Sequence, residues 1–331
     1  MKFVKHLASL GTIFDFRFSI ARRRATHKGA ACDAPAGPLP DWLRALYPFA
    51  PRSFTTPGGA RMSFLDEGPR SDEAVLLLHG NPTWSFFYRD VVRALAPAMR
   101  CVAPDHVGMG LSEKPSARDY DYTLAARIAD VEALVASLGL KRVHLVVHDW
   151  GGIIGFGFAT RHPGLVGRIV ILNTAAFPDK RIPARIALCR APLGIGSLIV
   201  RGFNGFARPA TWMAMHRRKL ARDEKRGYLF PYNNWRNRVA VHGFVRDIPM
   251  TPSHRSYATL VETERGLPRL AAHEKLILWG GRDFCFNDHF FERWREIYPD
   301  AAARHFPEVG HYILDDGGDE AREKISKFLR R

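Results

Sequence analysis

The sequence predicts an α/β protein with a mostly parallel sheet of eight strands, helices on both faces of the sheet and an inserted helical cap. Strand and helix patterns alternate over residues 41–176 and again over residues 251–331. Between them, residues 177–250 lose this alternation and carry scattered prolines and many basic residues around an apolar centre. A buried β-branched run at residues 143–147 is followed at once by a glycine-rich helical segment, as expected where a parallel strand is connected to a helix by a sharp turn.

This pattern divides the chain into four segments. They are a basic N-terminal extension and linker (1–40), the first part of the core (41–176), the cap (177–250) and the second part of the core (251–331). The predicted strands are 52–56 and 61–66, which form a hairpin, then 75–78, 101–104, 143–147, 168–172, 275–279 and 302–306. The predicted core helices are 86–95, 124–138, 153–159, 288–298 and a last helix that ends at Leu329.

Composition favours a globular protein of a reducing compartment. With 331 residues, 46% of them hydrophobic, the chain is long enough to bury a large core. Its four cysteines have no metal-ligand spacing and suggest no disulfide framework. We therefore expect a cytoplasmic protein without a metal site or a cofactor, and we expect Cys101 to be a buried thiol.

The positive charge is concentrated in two segments. Of the formal net charge of +16, residues 1–30 contribute seven Lys/Arg against one acid, and residues 177–250 contribute fifteen against four. No nucleic-acid motif accompanies this charge, so we discount nucleic acid as a partner. The N-terminal extension is too interrupted by charge to span a bilayer, which leaves two interpretations open. It is either an amphipathic helix at the inner membrane surface or a tail that is disordered or bound by a partner.

Three titratable residues follow predicted strands. Asp149 follows the strand at 143–147, Asp283 follows the strand at 275–279, and His311 follows the last strand. Taken singly, each has an ordinary structural interpretation, such as a helix cap. Together, the order nucleophile, acid, histidine and the sharp strand–turn–helix around Asp149 are typical of the α/β-hydrolase fold. We therefore predict that Asp149 is a nucleophile, that His311 is its base and that Asp283 orients the histidine.

An aspartate nucleophile implies chemistry at a saturated carbon. A carboxylate is already anionic at neutral pH and needs no base before it displaces a leaving group. His311 would then activate water against the resulting ester. The indole N–H of Trp150 and the side-chain amide of Asn81 are two neutral donors that suit a departing halide or carboxylate. Their backbone N–H groups would hold the oxyanion. The alternative is that Asn81 only shapes its turn and Trp150 only packs.

Three motifs resemble the haloalkane dehalogenase family. They are HGNPTW at 79–84, PDHVGMGLS at 104–112 and VHDWGG at 147–152. The resemblance extends from about residue 45 to the C-terminus. It implies that Asn81 and Trp150 correspond to the family's pair of halide-binding residues and that Asp283 corresponds to its acid. The further motifs LYPF at 46–49, NTAAFP at 173–178 and RDFCF at 282–286 resemble the branch that includes the β-lactone decarboxylases of bacterial long-chain olefin biosynthesis.

This resemblance implies a small apolar substrate, most simply a β-lactone that is converted to a long-chain alkene and CO2. A haloalkane dehalogenase is the alternative, because it needs the same attack by Asp149. Arg282, next to the acid, would pair with a nascent carboxylate, or it is a surface arginine without such a role. The branch also implies a multi-enzyme assembly, which the basic extension would join. An epoxide hydrolase would use two cap tyrosines, here Tyr228 and Tyr232, but Asn81 stands where that group has an aromatic residue. A non-enzymatic interaction protein is the remaining interpretation, and the intact triad argues against it.

Overall fold

One eight-stranded sheet forms the centre of the computed structural model, which describes residues 39–331. Its strands are β1 (Arg52–Thr55), β2 (Arg61–Glu67), β3 (Glu73–Leu78), β4 (Cys101–Pro104), β5 (Arg142–His148), β6 (Val166–Leu172), β7 (Lys275–Gly280) and β8 (Ala302–Phe306). They lie in the order β1-β2-β4-β3-β5-β6-β7-β8. The pairings β1–β2 and β2–β4 are antiparallel, and every later pairing is parallel. The predicted mostly parallel eight-stranded sheet is confirmed.

Helices cover the sheet, and their sequence pattern explains where they start and stop. Every residue of β4 and β7 is buried, which a parallel strand achieves only when both faces of its sheet are covered. The helices are α1 (Asp41–Leu46), α2 (Arg89–Leu95), α3 (Leu124–Ser137), α4 (Trp150–Arg161), α5 (Ala184–Cys189), α6 (Ile195–Ser197), α7 (Ala207–Met213), α8 (Arg222–Leu229), α9 (Val239–Arg246), α10 (Tyr257–Gly266), α11 (Asp288–Ile297), α12 (Ile313–Asp316) and α13 (Gly318–Leu329). As an example, Thr123 caps α3 by accepting from the N–H of Ala126, and Gly139 follows the helix with φ +63°.

The cap is helical and is inserted between β6 and β7. It contains α5 to α9, all short, joined by turns. The boundaries that we placed at residues 176 and 250 stay predictions, and nearly all of the N-terminal extension lies outside the described residues. The sequence analysis missed α1 and α10. Each buries only one large apolar side chain, Leu43 in α1 and Leu260 in α10, so neither shows the apolar stripe that predicts a helix.

The turn between β5 and α4 is possible only because small residues surround it. Asp149 itself has φ 51° and ψ −127°, a backbone conformation that residues other than glycine adopt at a cost of about 1–3 kcal/mol. The hydroxyl of Thr174 donates to the carbonyl oxygen of Asp149 over 2.5 Å and holds this conformation. A Cβ at Gly151 would lie 1.9 Å from the carbonyl oxygen of Leu78, so only glycine lets α4 start this close to β3.

A buried ionic network ties the cap to the core. The guanidinium of Arg89, in α2, donates to Asp315 over 2.5 Å and to Glu224 of the cap over 3.3 Å. Arg218 of the cap donates to Glu224 and to Asp315, and the hydroxyl of Tyr228 donates to Asp315 in a short hydrogen bond. Because each charge here has an opposite partner, burial of these groups is compensated. The network therefore sets the position of the cap above the carboxyl ends of the strands.

Within residues 39–331, no helix is long and apolar enough to cross a membrane. Cys101, Cys189 and Cys285 are free thiols, and Cys101 is fully buried as predicted.

The close approach at Gly151 leads to a stability prediction. Gly151→Ala should lower the thermal unfolding midpoint by several degrees or prevent folding, since overpacking of a core costs about 1–3 kcal/mol even where neighbours can shift. Gly164→Ala is the matched control, because a Cβ there would meet nothing within 4 Å. Differential scanning calorimetry of the two variants measures the effect, and equal midpoints would contradict the packing described for the turn.

Candidate active site

The carboxyl ends of four parallel strands bring the predicted site residues together. Asn81 follows β3, Asp149 follows β5, Asp283 follows β7 and His311 follows β8. All four side chains are almost completely buried. The sheet thus places at one edge residues that are up to 230 positions apart in sequence.

Asp149 is held by backbone donors on one side and left open on the other. The N–H of Asn81 donates to Asp149 Oδ1 over 2.6 Å, and the N–H of Trp150 also hydrogen bonds to this carboxylate. A Cβ at Gly80 would lie 2.1 Å from the same Oδ1 atom, so glycine is required for Asn81 to come so near. The Oδ2 atom faces His311 and remains available for bond formation.

His311 lies between the two aspartates. Its Nδ1 is 2.6 Å from Asp283 Oδ2, and its Nε2 is 3.7 Å from Asp149 Oδ2. The other oxygen of Asp283 accepts the N–H groups of Cys285 at 2.7 Å and Phe286 at 3.1 Å, which fixes the carboxylate in place. The arrangement orients the imidazole so that Nε2 points to the carboxylate of Asp149.

Burial and neighbouring charges together shift the pKa values of Asp149 and His311. Burial raises the pKa of Asp149 to about 6, although His311 and the N–H groups of Asn81 and Trp150 favour its anion. Burial alone would lower the pKa of His311, but the charges of Asp283 and Asp149 and the hydrogen bond to Asp283 outweigh it and raise this pKa above 6.5. At neutral pH Asp149 is therefore mainly ionised.

The side chains of Asn81 and Trp150 both border the space beside Asp149. Asn81 uses Nδ2 to donate to the carbonyl oxygen of Val241 over 3.1 Å, which leaves the second hydrogen of this amide free. The indole Nε1 of Trp150 has no hydrogen-bond acceptor among residues 39–331. Two such donors can bind an anion that forms next to Asp149. The guanidinium of Arg127 lies behind Trp150, 5.7 Å from its ring centroid and 3.7 Å from that of Phe244, and it pairs with Asp247 over 3.5 Å.

Two mainly apolar cavities meet at this point. Asp149 and Trp150 line the first cavity, His311 lines the second, and both cavities share Asn81 and Cys285. They also share Ile186 and Phe206 of the cap. The first cavity is further lined by Ile153, Ala175, Phe177, Asp179, Arg181, Ile182, Pro183, Val245, Ile248, Pro249, Met250, Leu260, Phe286 and Phe290. The second is further lined by Pro82, Arg185, Leu188, Cys189, Ile199, Gly205, Pro209, Ala210, Met213, Ala214 and Phe284.

Three residues predicted to bind substrate lie elsewhere, and this prediction is corrected. Arg282 is exposed and pairs with Glu308 over 3.0 Å, because its side chain leaves the turn after β7 towards solvent. Tyr228 donates to Asp315 in the ionic network, and Tyr232 donates to the carbonyl oxygen of Thr83 over 3.1 Å. None of the three lines either cavity.

The sequence analysis assigned no role to three further residues of the site. His148 lies beneath His311, with Nε2 2.9 Å from the carbonyl oxygen of His311 and its ring stacked on Phe87. Cys285, inside the RDFCF motif, stands where the two cavities meet. Asp316 accepts the N–H of Gly310 over 2.7 Å and three N–H groups of the cap, those of residues 216–218. No group of three or more His, Cys, Asp or Glu in residues 39–331 is placed to hold a metal ion.

Similarity to known proteins agrees with this geometry. A family model described as the alpha/beta hydrolase fold matches residues 73–318. A cis-3-alkyl-4-alkyloxetan-2-one decarboxylase of Shewanella oneidensis is 44% identical over 291 residues, which are 87% of this chain and 90% of that protein. Haloalkane dehalogenase 2 of Mycobacterium tuberculosis is 31% identical over 85% of this chain and 95% of its own.

Solved structures show the same fold. The haloalkane dehalogenase DatA of Agrobacterium tumefaciens superimposes with a TM-score of 0.73 at 24% identity, over 85% of this chain and 97% of that one. The chain belongs to the α/β-hydrolase family, in the group that contains the haloalkane dehalogenases and the oxetan-2-one decarboxylases.

Proposed function

We propose that the protein is a β-lactone decarboxylase that converts a cis-3,4-dialkyl-oxetan-2-one into an alkene and CO2. The observation that carries the proposal is the pair of apolar cavities that meet beside Asp149. An oxetan-2-one with two alkyl substituents needs one apolar space for each chain and a polar point for its ring. The relative from Shewanella oneidensis, named as a decarboxylase of such a ring, supports the same substrate class.

In the proposed reaction, Asp149 is a nucleophile that is recovered without water. Its Oδ2 attacks ring carbon 4, and the bond from that carbon to the ring oxygen breaks, which leaves a free carboxylate and an ester on Asp149. The bond between ring carbon 3 and the new carboxylate then breaks. Its electron pair forms the alkene as the ester oxygen departs. The products are CO2, the alkene and the original Asp149 carboxylate.

Asn81 and Trp150 stabilise the departing carboxylate by donating hydrogen bonds to it. Negative charge moves from Asp149 to the former ring oxygen in the first step, so a donor at that oxygen stabilises the transition state more than the ground state. The free hydrogen of the Asn81 amide and the indole N–H of Trp150 supply two such donors, both already in place. His311, oriented by Asp283, stabilises the Asp149 carboxylate when it leaves in the second step.

A haloalkane dehalogenase is the second candidate function, since attack by Asp149 on a carbon–halogen bond would use the same donors. The difference lies in how the ester on Asp149 is removed. A dehalogenase needs His311 to activate a water molecule, whereas the decarboxylase proposed here consumes none. The epoxide hydrolase alternative requires cap tyrosines that donate to the substrate, and the hydroxyls of Tyr228 and Tyr232 are committed to protein acceptors.

Product analysis tests the proposal. The full-length protein is incubated with a synthetic long-chain cis-3,4-dialkyl-oxetan-2-one and, separately, with 1,2-dibromoethane, and products are measured by gas chromatography. We expect alkene from the lactone and little bromide release. Bromide release without alkene would replace the proposed function by the dehalogenase.

Variants at Asp149 and His311 should separate the two functions. Asp149→Ala should abolish turnover of either substrate, because no other carboxylate lines the cavities at the reacting point. His311→Ala in a dehalogenase should trap the alkyl ester, which adds the alkyl mass to the protein. In a decarboxylase the ester collapses to alkene without hydrolysis, so any adduct formed in His311→Ala should disappear once the lactone is consumed, as intact-protein mass spectrometry can follow. A stable adduct from the lactone in His311→Ala would contradict the proposed second step.

The two side-chain donors should matter far more than the two tyrosines. Asn81→Ala and Trp150→Phe should each lower kcat by about 10² to 10³, the effect of removing one preorganised donor to developing charge. Tyr228→Phe and Tyr232→Phe are the matched comparison, and each should retain kcat within a few-fold once the variant is shown to fold. The reverse pattern would favour the epoxide hydrolase.

The raised pKa of Asp149 predicts the acid limb of the pH profile. Only the ionised carboxylate attacks, so kcat/KM should fall about tenfold per pH unit below about 6, where Asp149 takes up a proton. A profile that stays flat down to pH 5 would show that Asp149 is not the titrating nucleophile.

The raised pKa of Asp149 also predicts how this residue changes the stability of the folded protein with pH. The folded protein holds the Asp149 proton up to about pH 6, whereas the unfolded chain loses it near 4, so the contribution of Asp149 to stability falls as pH rises through this window. At pH 8, Asp149→Asn should therefore unfold at the same temperature as the original protein or a higher one. This check separates loss of the nucleophile from loss of the fold.

We further propose that the enzyme works in the cytoplasm and that residues 1–38 serve association rather than catalysis. The three thiols of the described part of the chain are free, as a reducing compartment allows. The extension is strongly basic in sequence, so its attachment to an anionic bilayer or to a partner enzyme should weaken with salt. Co-sedimentation at low and high salt, with and without residues 1–38, measures this, and salt-independent attachment would contradict it.

A further inference from the structure

Exposed large hydrophobic side chains of residues 39–331 are confined to the cap. The most exposed are Leu193 at 95%, Phe203 at 69% and Trp212 at 59%. A soluble protein normally scatters such side chains over its surface, and their concentration on one segment marks an interaction surface. We call this surface the cap face; its members are Leu188, Leu193, Ile195, Leu198, Phe203, Trp212 and Trp235.

The segment that carries most of the cap face has more basic side chains than its ion pairs neutralise: Arg181 pairs with Asp179, and Arg218 pairs with Glu224 and Asp315. Residues 180–222 contain ten Lys/Arg and no Asp or Glu. Arg185 and Arg208 are exposed and make no ion pair with the described residues. A surface that combines unpaired arginines with exposed aliphatic and aromatic side chains matches the headgroup region of an anionic bilayer.

Apolar and basic side chains of the cap face lie next to each other around Gly202. Leu198 and Trp235 approach the same backbone position, since a Cβ at Gly202 would lie 3.1 Å from Leu198 Cδ1 and 3.7 Å from Trp235 Cζ3. The guanidinium of Arg201 lies 4.6 Å from the ring centroid of Trp235. Aromatic rings and arginines in this arrangement are typical of side chains at a membrane interface.

We propose that the cap face binds the surface of an anionic lipid bilayer. Leu193, Phe203 and Trp212 enter the headgroup region, and arginines such as Arg208 pair with lipid phosphates. The aliphatic members have no hydrogen-bonding capacity, which fits acyl chains and does not fit nucleic acid. A second copy of this chain is disfavoured as the occupant, because two cap faces of the same positive charge would repel each other.

The cap face is continuous with the second cavity. Leu188 lines that cavity and is 55% exposed, and Arg185 lines it beside Leu188. On the proposed function, which this step requires, a dialkyl lactone dissolved in the bilayer would reach Asn81 and His311 from the cap face without crossing water. Binding to lipid itself does not depend on that function, so the two can be tested separately.

Vesicle binding by the full-length protein tests the proposal. Phosphatidylcholine vesicles with and without phosphatidylglycerol are compared by co-sedimentation, and brominated phosphatidylcholine is used to quench tryptophan fluorescence. Residues 1–38 contain no tryptophan, so quenching reports the folded domain even if the extension also binds lipid. We expect quenching with anionic vesicles, and we expect Trp212→Phe to reduce it while binding is retained.

Matched variants inside and outside the cap face test whether its side chains are responsible for lipid binding. Leu193→Ser combined with Phe203→Ser should weaken partitioning roughly tenfold or more, since the variant loses the apolar side chains that enter the bilayer. Arg208→Glu should also weaken it, whereas Arg118→Glu, the same charge change at an exposed, unpaired residue outside the cap, should change it much less.

Two outcomes would overturn the proposal. In the first, the Leu193/Phe203 variant binds vesicles as the original protein does, and Trp212→Phe leaves the quenching unchanged. In the second, that variant alters the oligomeric state measured by sedimentation velocity without lipid, which would make the cap face an interface between copies of the chain.

Discussion

The structure depends on how Asp149 is held. A carboxylate is placed out of water, on a residue with positive φ, and both conditions are unfavourable on their own. Glycines at 80 and 151 allow the neighbouring backbone to come close enough for two N–H groups to bind this carboxylate, and Thr174 holds the turn. The residue that destabilises the fold locally is thus the one that a nucleophilic mechanism requires.

The cap and the histidine loop are positioned by one set of charges. Asp315 and Asp316 follow His311 closely in sequence. The carboxylate of Asp315 accepts hydrogen bonds from Arg89 in the core and from Arg218 in the cap. The carboxylate of Asp316 accepts the backbone N–H groups of residues 216–218 in the cap. The same charges therefore hold the cap against the loop that presents His311. The two cavities meet between the cap and the ends of the strands, beside Asp149 and His311.

Sequence reasoning succeeded where a local pattern has a single physical meaning. Alternating strand and helix patterns predicted the sheet, and the positions of Asp149, Asp283 and His311 after strands predicted that the sheet would bring them together. It failed for Arg282, Tyr228 and Tyr232, because the direction of a side chain depends on which neighbour is near: Glu308, Asp315 and Thr83 are distant or uninformative in sequence. For the cavities, the apolar centre of the cap was an indication that this segment could line an apolar space, and Ile186, Leu188 and Ile199 from it line the second cavity. The shape and number of the cavities depend on how the cap helices pack, which no periodicity specifies.

The central claim is that Asp149 forms a bond to the substrate and is recovered without water. It is tested by running the reaction with a dialkyl β-lactone in oxygen-18-labelled water and measuring the mass of the peptide that contains Asp149, both during turnover and after it. The account predicts that a sample quenched during turnover contains this peptide with the full mass of the lactone added. After many turnovers the peptide should carry no oxygen-18. Incorporation of oxygen-18 into Asp149 would contradict the account, because it would mean that water had hydrolysed the ester.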